Sequence, residues 1–113
     1  MDNILISIKK LIGLSADQID FDVDLIMHIN TVFNILNDMG VGPKDGFVIV
    51  DGNETWDEYI NDMRQYEKVK TYVALKVRLY FDPPQNSSLL EAIKQQIQEL
   101  EWRLNVSAEN TTE

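Results

Sequence analysis

The chain of 113 residues contains no cysteine, which excludes disulfides, thiolate-bound zinc and a cysteine nucleophile. Its single histidine, His28, has Asp24 and Val32 as helical neighbours one turn away, so a salt-bridged or half-buried role is expected for it rather than a catalytic one. Basic residues are scarce: ten Lys and Arg stand against 19 Asp and Glu, for a net charge of -9. Such a chain is repelled by phosphate backbones rather than collecting on them. No run approaches the ~20 uncharged apolar residues of a membrane helix, so no membrane partner is expected. Met1-Asp2-Asn3 offers no basic head and Lys9 and Lys10 interrupt the first apolar run. A secretory signal is therefore not expected, and the cytoplasm is the expected compartment. What is present is 44% hydrophobic residues in 13.1 kDa, apolar material for one core and hence one domain.

The charge is unevenly spread. Residues 14–62 hold eleven acids and one base, Lys44. Residues 63–81 hold Arg64, Lys68, Lys70, Lys76 and Arg78 against Glu67 alone. An acidic half beside a basic helix can attract a second copy or an asymmetric partner.

Hydrophobic spacing predicts an all-α fold, a small bundle of about five helices with a long loop or short β element between the second and third. Ile4, Leu5, Ile8, Leu11 and Ile12 recur at helical spacing, and Gly13 stops that helix. A second helix opens at Asp20 or Asp22, where carboxylates favour a first turn, and buries Leu25, Ile26, Ile29, Val32, Phe33, Leu36 and Met39. Between Gly40 and Glu54, turn residues flank Phe47-Val48-Ile49-Val50, a short strand or extended arm that must pair within the loop or with a neighbouring subunit. Thr55 and Glu58 have capping-box spacing and start a short helix. From about Gln65 to Phe81, Tyr66, Val69, Val73, Val77 and Tyr80 form one stripe and Tyr72, Leu75 and Leu79 another, which marks a central helix with neighbours on two sides. Pro83 ends it. Ser88 and Glu91 suggest a second capping box, with the last helix burying Leu90, Ile93, Ile97, Leu100 and Leu104 and ending near Leu104. Residues 1–106 then make one helical domain, and 107–113 a polar, flexible tail.

No catalytic constellation stands out. Asp20, Asp22 and Asp24 alternate like the start of a calcium loop, but Leu25 and Thr31 occupy the positions of its glycine and bidentate glutamate. The glycines and Lys44 of residues 40–46 lack the spacing of a phosphate loop, and a helix ends there rather than begins. No pair of carboxylates is singled out as acid and base. Trp102 is more informative. At 100° per residue it points away from the stripe of its own helix, with Val106 one turn on. An indole left wet forgoes a few kcal/mol, so it packs either on the chain's own loop or first helix or on a partner.

The stretch "TYVALKVRLYFDPPQNSSLLEAIKQQIQELEWRLN" and the earlier "DLIMHINTVFNILNDMGVGP" resemble the head–tail connector (adaptor, head-completion) proteins of long-tailed bacteriophages. The likeness runs from Ile4 to Asn105 and is sharpest at Leu25–Asn30, Phe81-Asp82-Pro83-Pro84 and Glu101-Trp102-Arg103-Leu104-Asn105. It implies a structural protein of the virion neck, assembled in the host cytoplasm, with no enzymatic activity and no cofactor. It implies a ring of twelve copies under the portal, meeting a stopper or tail protein below, with DNA passing through the lumen without specific binding. Within that frame the basic helix from Arg64 through Lys68 to Arg78 is expected to dock on the acidic segment of a neighbour. Trp102, Arg103 and Val106 are expected at a subunit or portal contact, together with Phe47 and Ile49 of the arm. An alternative from another class is an acidic decoy that imitates DNA and inhibits a DNA-binding enzyme; the basic helix argues against it. A third is an all-α adaptor module acting as a monomer.

Overall fold

The computed structural model describes residues 3–111, with side chains throughout except those of Met63 and residues 109–111. Five helices follow one another: α1 (Ile4–Leu11), α2 (Asp22–Asp38), α3 (Trp56–Tyr59), α4 (Met63–Phe81) and α5 (Ser87–Thr111). No helix among the described residues is long and apolar enough to cross a membrane. The whole measures 42 × 34 × 20 Å, a flat slab. The 25 residues of α5 set its long dimension, since a helix rises about 1.5 Å per residue.

Helix starts follow local chemistry. The Asn3 side chain accepts from the Ile6 N–H at 2.9 Å, and the Asp62 carboxylate from the Arg64 N–H at 2.9 Å. Asp62 therefore starts α4 two residues earlier than spacing alone indicates. At α5 the cap is Asn86, whose side-chain oxygen accepts from the Leu89 N–H at 3.1 Å, not Ser88. At α3 the Glu58 carboxylate accepts from the Thr55 N–H at 3.3 Å and the Thr55 hydroxyl at 3.2 Å. Helix α2 has no side-chain cap; its first-turn Asp22 instead accepts from Lys9 at 2.8 Å, tying α1 to α2.

Helix α4 is central, packed against α1, α2 and α5. Tyr66, Val69, Val73 and Val77 are buried along one side and Tyr72 on the other, where its hydroxyl donates to Glu101 of α5 at 2.7 Å. Ile4, Ile8, Leu25, Ile29, Val32 and Leu36 complete the main core. Beneath the arm lies an aromatic cluster. Phe33 stacks on Tyr59 with centroids 4.4 Å apart and meets Trp56 edge-on at 6.1 Å. Trp56 is buried, and its indole N–H donates to the Ser7 hydroxyl at 2.7 Å. Helix α5 does not stop at Leu104: it continues to Thr111 because Ala108 buries its methyl group against Gly40.

The segment between α2 and α3 is an extended arm without a ladder. Among the described residues the one β-type pairing is an isolated antiparallel bridge, Asn3 to Thr55. The arm's backbone is satisfied by side chains instead. The Asn30 amide donates to the Ile49 carbonyl at 2.9 Å while its oxygen accepts from the Ile49 N–H at 2.8 Å, as a neighbouring strand would. The Glu54 carboxylate accepts from the Val50 and Gly52 N–H groups at 2.7 and 3.2 Å, and the Asn3 amide donates to the Gly52 carbonyl at 2.6 Å. Gly42, at φ +90°, lets the arm pass over Tyr59, since a Cβ there would lie 2.8 Å from the ring.

Candidate subunit interface

Among the described residues, apolar side chains are exposed on α1 (Ile6 and Leu11), along α2 and the arm, and on α5, and the last two surfaces bear on the residues expected at an interface. The first is a groove of about 730 Å³ between α2 and the arm. Its floor is Ile26, Phe33 and Phe47, and its rim is Val23, Met27 and Val48. Val23, Met27 and Val48 are exposed, as is Val50 just beyond. The helical period explains the rim. Leu25, Ile29, Val32 and Leu36 turn toward α4, which leaves Val23, Met27, Thr31 and Asn34 on the opposite side of α2. The groove's polar lining consists of the side-chain amides of Asn30, Asn34 and Asn37, the Thr31 hydroxyl and Asp45, and Asp24 and Asp38 stand exposed elsewhere on α2. No lysine or arginine occurs between Leu11 and Lys44, and Asp45 is the one charged residue lining the groove.

The second surface is the outer face of α5. Trp102 is 66% exposed there, in contrast to buried Trp56. Ile93, Ile97 and Leu104 bury the opposite side, and Val106, one turn past the indole, is half-buried. Arg103 is exposed and donates to Glu99 at 2.8 Å, an i,i+4 pair. Lys68 shares a shallow hollow with Arg103, Glu99 and Leu100, and Arg64, one turn before Lys68, is fully solvated apart from a 3.5 Å contact with Asp62. Helices α2 and α5 both pack on α4, and each turns its outer face away from it. The two surfaces are therefore distinct.

The structure brings Lys68 and Arg103 into one hollow between α4 and α5, with Arg64 one turn before Lys68, while Trp102 lies on the outer face of α5 with Val106 one turn on. It brings the arm residues to neither place. Ile49 is 1% exposed: the Asn30 clamp turns its side chain into the core, and it is removed from the interface residues. Phe47 is half-buried, its ring meeting Phe33 at 5.6 Å and Tyr59 at 5.3 Å. The outward residues of the arm are Val48 and Val50. In an extended segment alternate residues share a face, so the sequence offered two phases and no means of choosing between them. The other functional groups read from the sequence are engaged structurally. His28 lies against Tyr80 at 5.7 Å, and Asp22 is held by Lys9. Two exposed carboxyls, Asp51 of the arm and Asp57 in the first turn of α3, are held below the usual carboxylate range by hydrogen bonds from the Asn53 backbone and the Thr55 side chain respectively. These bonds close turns. Among the described residues, no group of three or more His, Cys, Asp or Glu side chains is placed to hold a metal ion.

The family model for phage connector proteins matches residues 4–111, nearly the whole of the described chain. The chain belongs to that family. It is a structural bacteriophage protein of the head–tail connector kind, built as an all-helical bundle. Separately, a stretch of 63 residues, 56% of this chain, is 35% identical to part of flap endonuclease 1 from Methanococcus aeolicus. This stretch spans 18% of that enzyme, too small a share to bring an activity with it. No solved structure matches the connector chain significantly.

Proposed function

We propose that copies of this chain form a ring of twelve beneath the portal of the phage head, joining head to tail and extending the channel through which DNA passes. The connector-family match across residues 4–111 carries this reading. The geometry supports it. A chain with two unlike adhesive surfaces associates head to tail, and such contacts close into a ring when the rotation between neighbours fits. The portal stands above the ring and a stopper or tail protein below it, so the protein is a neck component assembled in the host cytoplasm. Each copy carries a net -9, which favours a lumen along which DNA slides without adhering. The role is structural and needs neither cofactor nor reaction.

Electron microscopy of purified portal mixed with this chain tests the reading. The expected image shows an added ring of density at one end of the portal, enclosing an open channel. A portal unchanged in the presence of excess chain would overturn it.

A further inference from the structure

We infer that α1 and the arm open and close as one unit, the first turn of α1 being the catch that holds the arm down. This goes beyond the ring reading above and does not depend on it. Neither element can order itself. Helix α1 has eight residues, and isolated helices shorter than ~12–15 residues are marginal in water. The arm is extended but, among the described residues, has no strand beside it, only the Asn3–Thr55 bridge at its base.

Each supplies partners that the other lacks. The Glu54 carbonyl accepts from the Ile4 N–H at 3.0 Å, one of the donors that a helix start leaves without an internal partner. Asn3 works in both directions. Its side-chain oxygen caps α1 at the Ile6 N–H, while its amide donates to the Gly52 carbonyl, 49 positions on, at 2.6 Å. The Ser7 hydroxyl accepts from the Trp56 indole at 2.7 Å and donates to the Ile4 carbonyl at 2.9 Å, which binds the start of α3 to the same turn. Gly52 fits so closely against α1 that a Cβ there would lie 2.8 Å from Leu5 Cδ2. Glu54 carries the catch along the arm: its carbonyl holds Ile4 while its carboxylate accepts from the Val50 and Gly52 N–H groups. Beyond the catch, Asn30 ties the arm to α2, and Lys9 ties the far end of α1 to Asp22. Opening either element strips the other of its partners. The two therefore share one opening equilibrium, and whatever orders the arm orders α1 by the same factor.

Native-state hydrogen exchange, read amide by amide by NMR over a series of sub-denaturing urea concentrations, tests this. In wild type, Ser7 and Ile8 of α1 and Val50 and Gly52 of the arm are expected to converge on one opening equilibrium. They are expected to exchange faster than Val73 of α4 and Ile97 of α5. Asn30→Ala is expected to speed Ser7 and Ile8 by about fivefold or more, the factor it imposes on Val50 and Gly52, although Asn30 makes no hydrogen bond to α1. Lys9→Met, at the far end of α1, is expected to speed Val50 and Gly52 by the factor it imposes on Ile8. Ser7 and Ile8 unmoved by Asn30→Ala while the arm amides quicken would overturn the inference, as would arm amides unmoved by Lys9→Met while Ile8 quickens. So would α1 and arm amides that open separately in wild type, or that open only together with Val73 and Ile97. This wild-type measurement decides even where a variant fails to fold.

Discussion

Lys9 buries its whole side chain between α1 and the loop after it, where its ammonium meets the Asp22 carboxylate at 2.8 Å and the Ala16 carbonyl at 3.2 Å. The two partners are not equivalent. The lysine side chain is 2% exposed, whereas Asp22 is 28% exposed and sits in the first turn of α2, where the helix dipole favours a negative charge. Removing the acid strands a buried cation; removing the cation leaves an acid that water and the helix still stabilise. Asp22→Ala is therefore expected to cost about 3–5 kcal/mol, and Lys9→Met, which keeps the packed stem, no more than about 1 kcal/mol. Urea midpoints measure both, and equal losses would show that the pair matters as a pair rather than through burial of the cation. The buried phenols make a separate case. Burial pushes the hydroxyls of Tyr59 and Tyr72 well above their ordinary value of 10.0, and at Tyr72 the Glu101 carboxylate adds to the effect. A proton held more tightly in the folded chain stabilises it fully below pH 10, and that stability is lost as the pH rises further. Thermal midpoints taken from pH 8 to pH 11.5 are thus expected to fall above pH 10. Tyr72→Phe flattens the fall but costs about 1.5–3 kcal/mol at neutral pH, since it removes the 2.7 Å bond to a carboxylate. Tyr59, whose buried hydroxyl has no partner among the described residues, is expected to accept Phe at no cost.

At the scale of elements, the arm is where local preference and tertiary context part. Four β-formers in a row demand a partner strand, and the partner supplied is one asparagine side chain projecting from α2. Asn30→Ala removes both bonds at Ile49, with an expected loss of about 1–3 kcal/mol and faster hydrogen exchange at the amides of Ile49 and Val50. Asn30→Asp keeps an acceptor for the Ile49 N–H and loses the donor to its carbonyl, so it should fall between wild type and alanine. Unchanged exchange in the alanine variant would mean that side-chain packing alone fixes the arm. The helices themselves were legible in the chain. Periodicity marked the stripes of α2 and α4, and Gly40 and Pro83 marked their ends, because those signals are local. The face of α5 that carries Trp102 was legible for the same reason, since a regular helix has only one phase. What could not be read depended on distant residues. Asn30 looks like any polar position of a helix until the fold sets Ile49 beside it, and the groove on α2 exists only because the arm folds back over that helix. The continuation of α5 past Leu104 likewise depends on Ala108 meeting Gly40, which are 68 positions apart in the chain.

For the molecule as a whole, charge acts in opposite directions on folding and on assembly. A net -9 on a slab 20 Å thick places like charges within mutual reach at low salt, when the Debye length is ~30 Å at 0.01 M, and out of reach at 1 M, when it is ~3 Å. The fold carries that repulsion, so added salt relieves it. The proposed assembly, with the basic helix α4 docking on the acidic segment of a neighbour, would depend on attraction, and added salt would weaken that too. Raising sodium chloride from 0.05 to 1 M should therefore raise the thermal midpoint of the isolated chain while shifting the multimers seen by sedimentation toward single copies. Lys68→Glu with Arg103→Glu should mimic the high-salt state of assembly at low salt, since Arg103 is exposed, Lys68 is half-buried in a surface hollow, and neither belongs to the core. If the fold and the assembly instead strengthen together with salt, apolar burial at the contact outweighs the charges. The sign of the two responses separates these cases, because salts that screen charge only modestly affect apolar burial over this range, whereas paired charges at the rim of a contact lose most of their attraction once the Debye length falls below their separation.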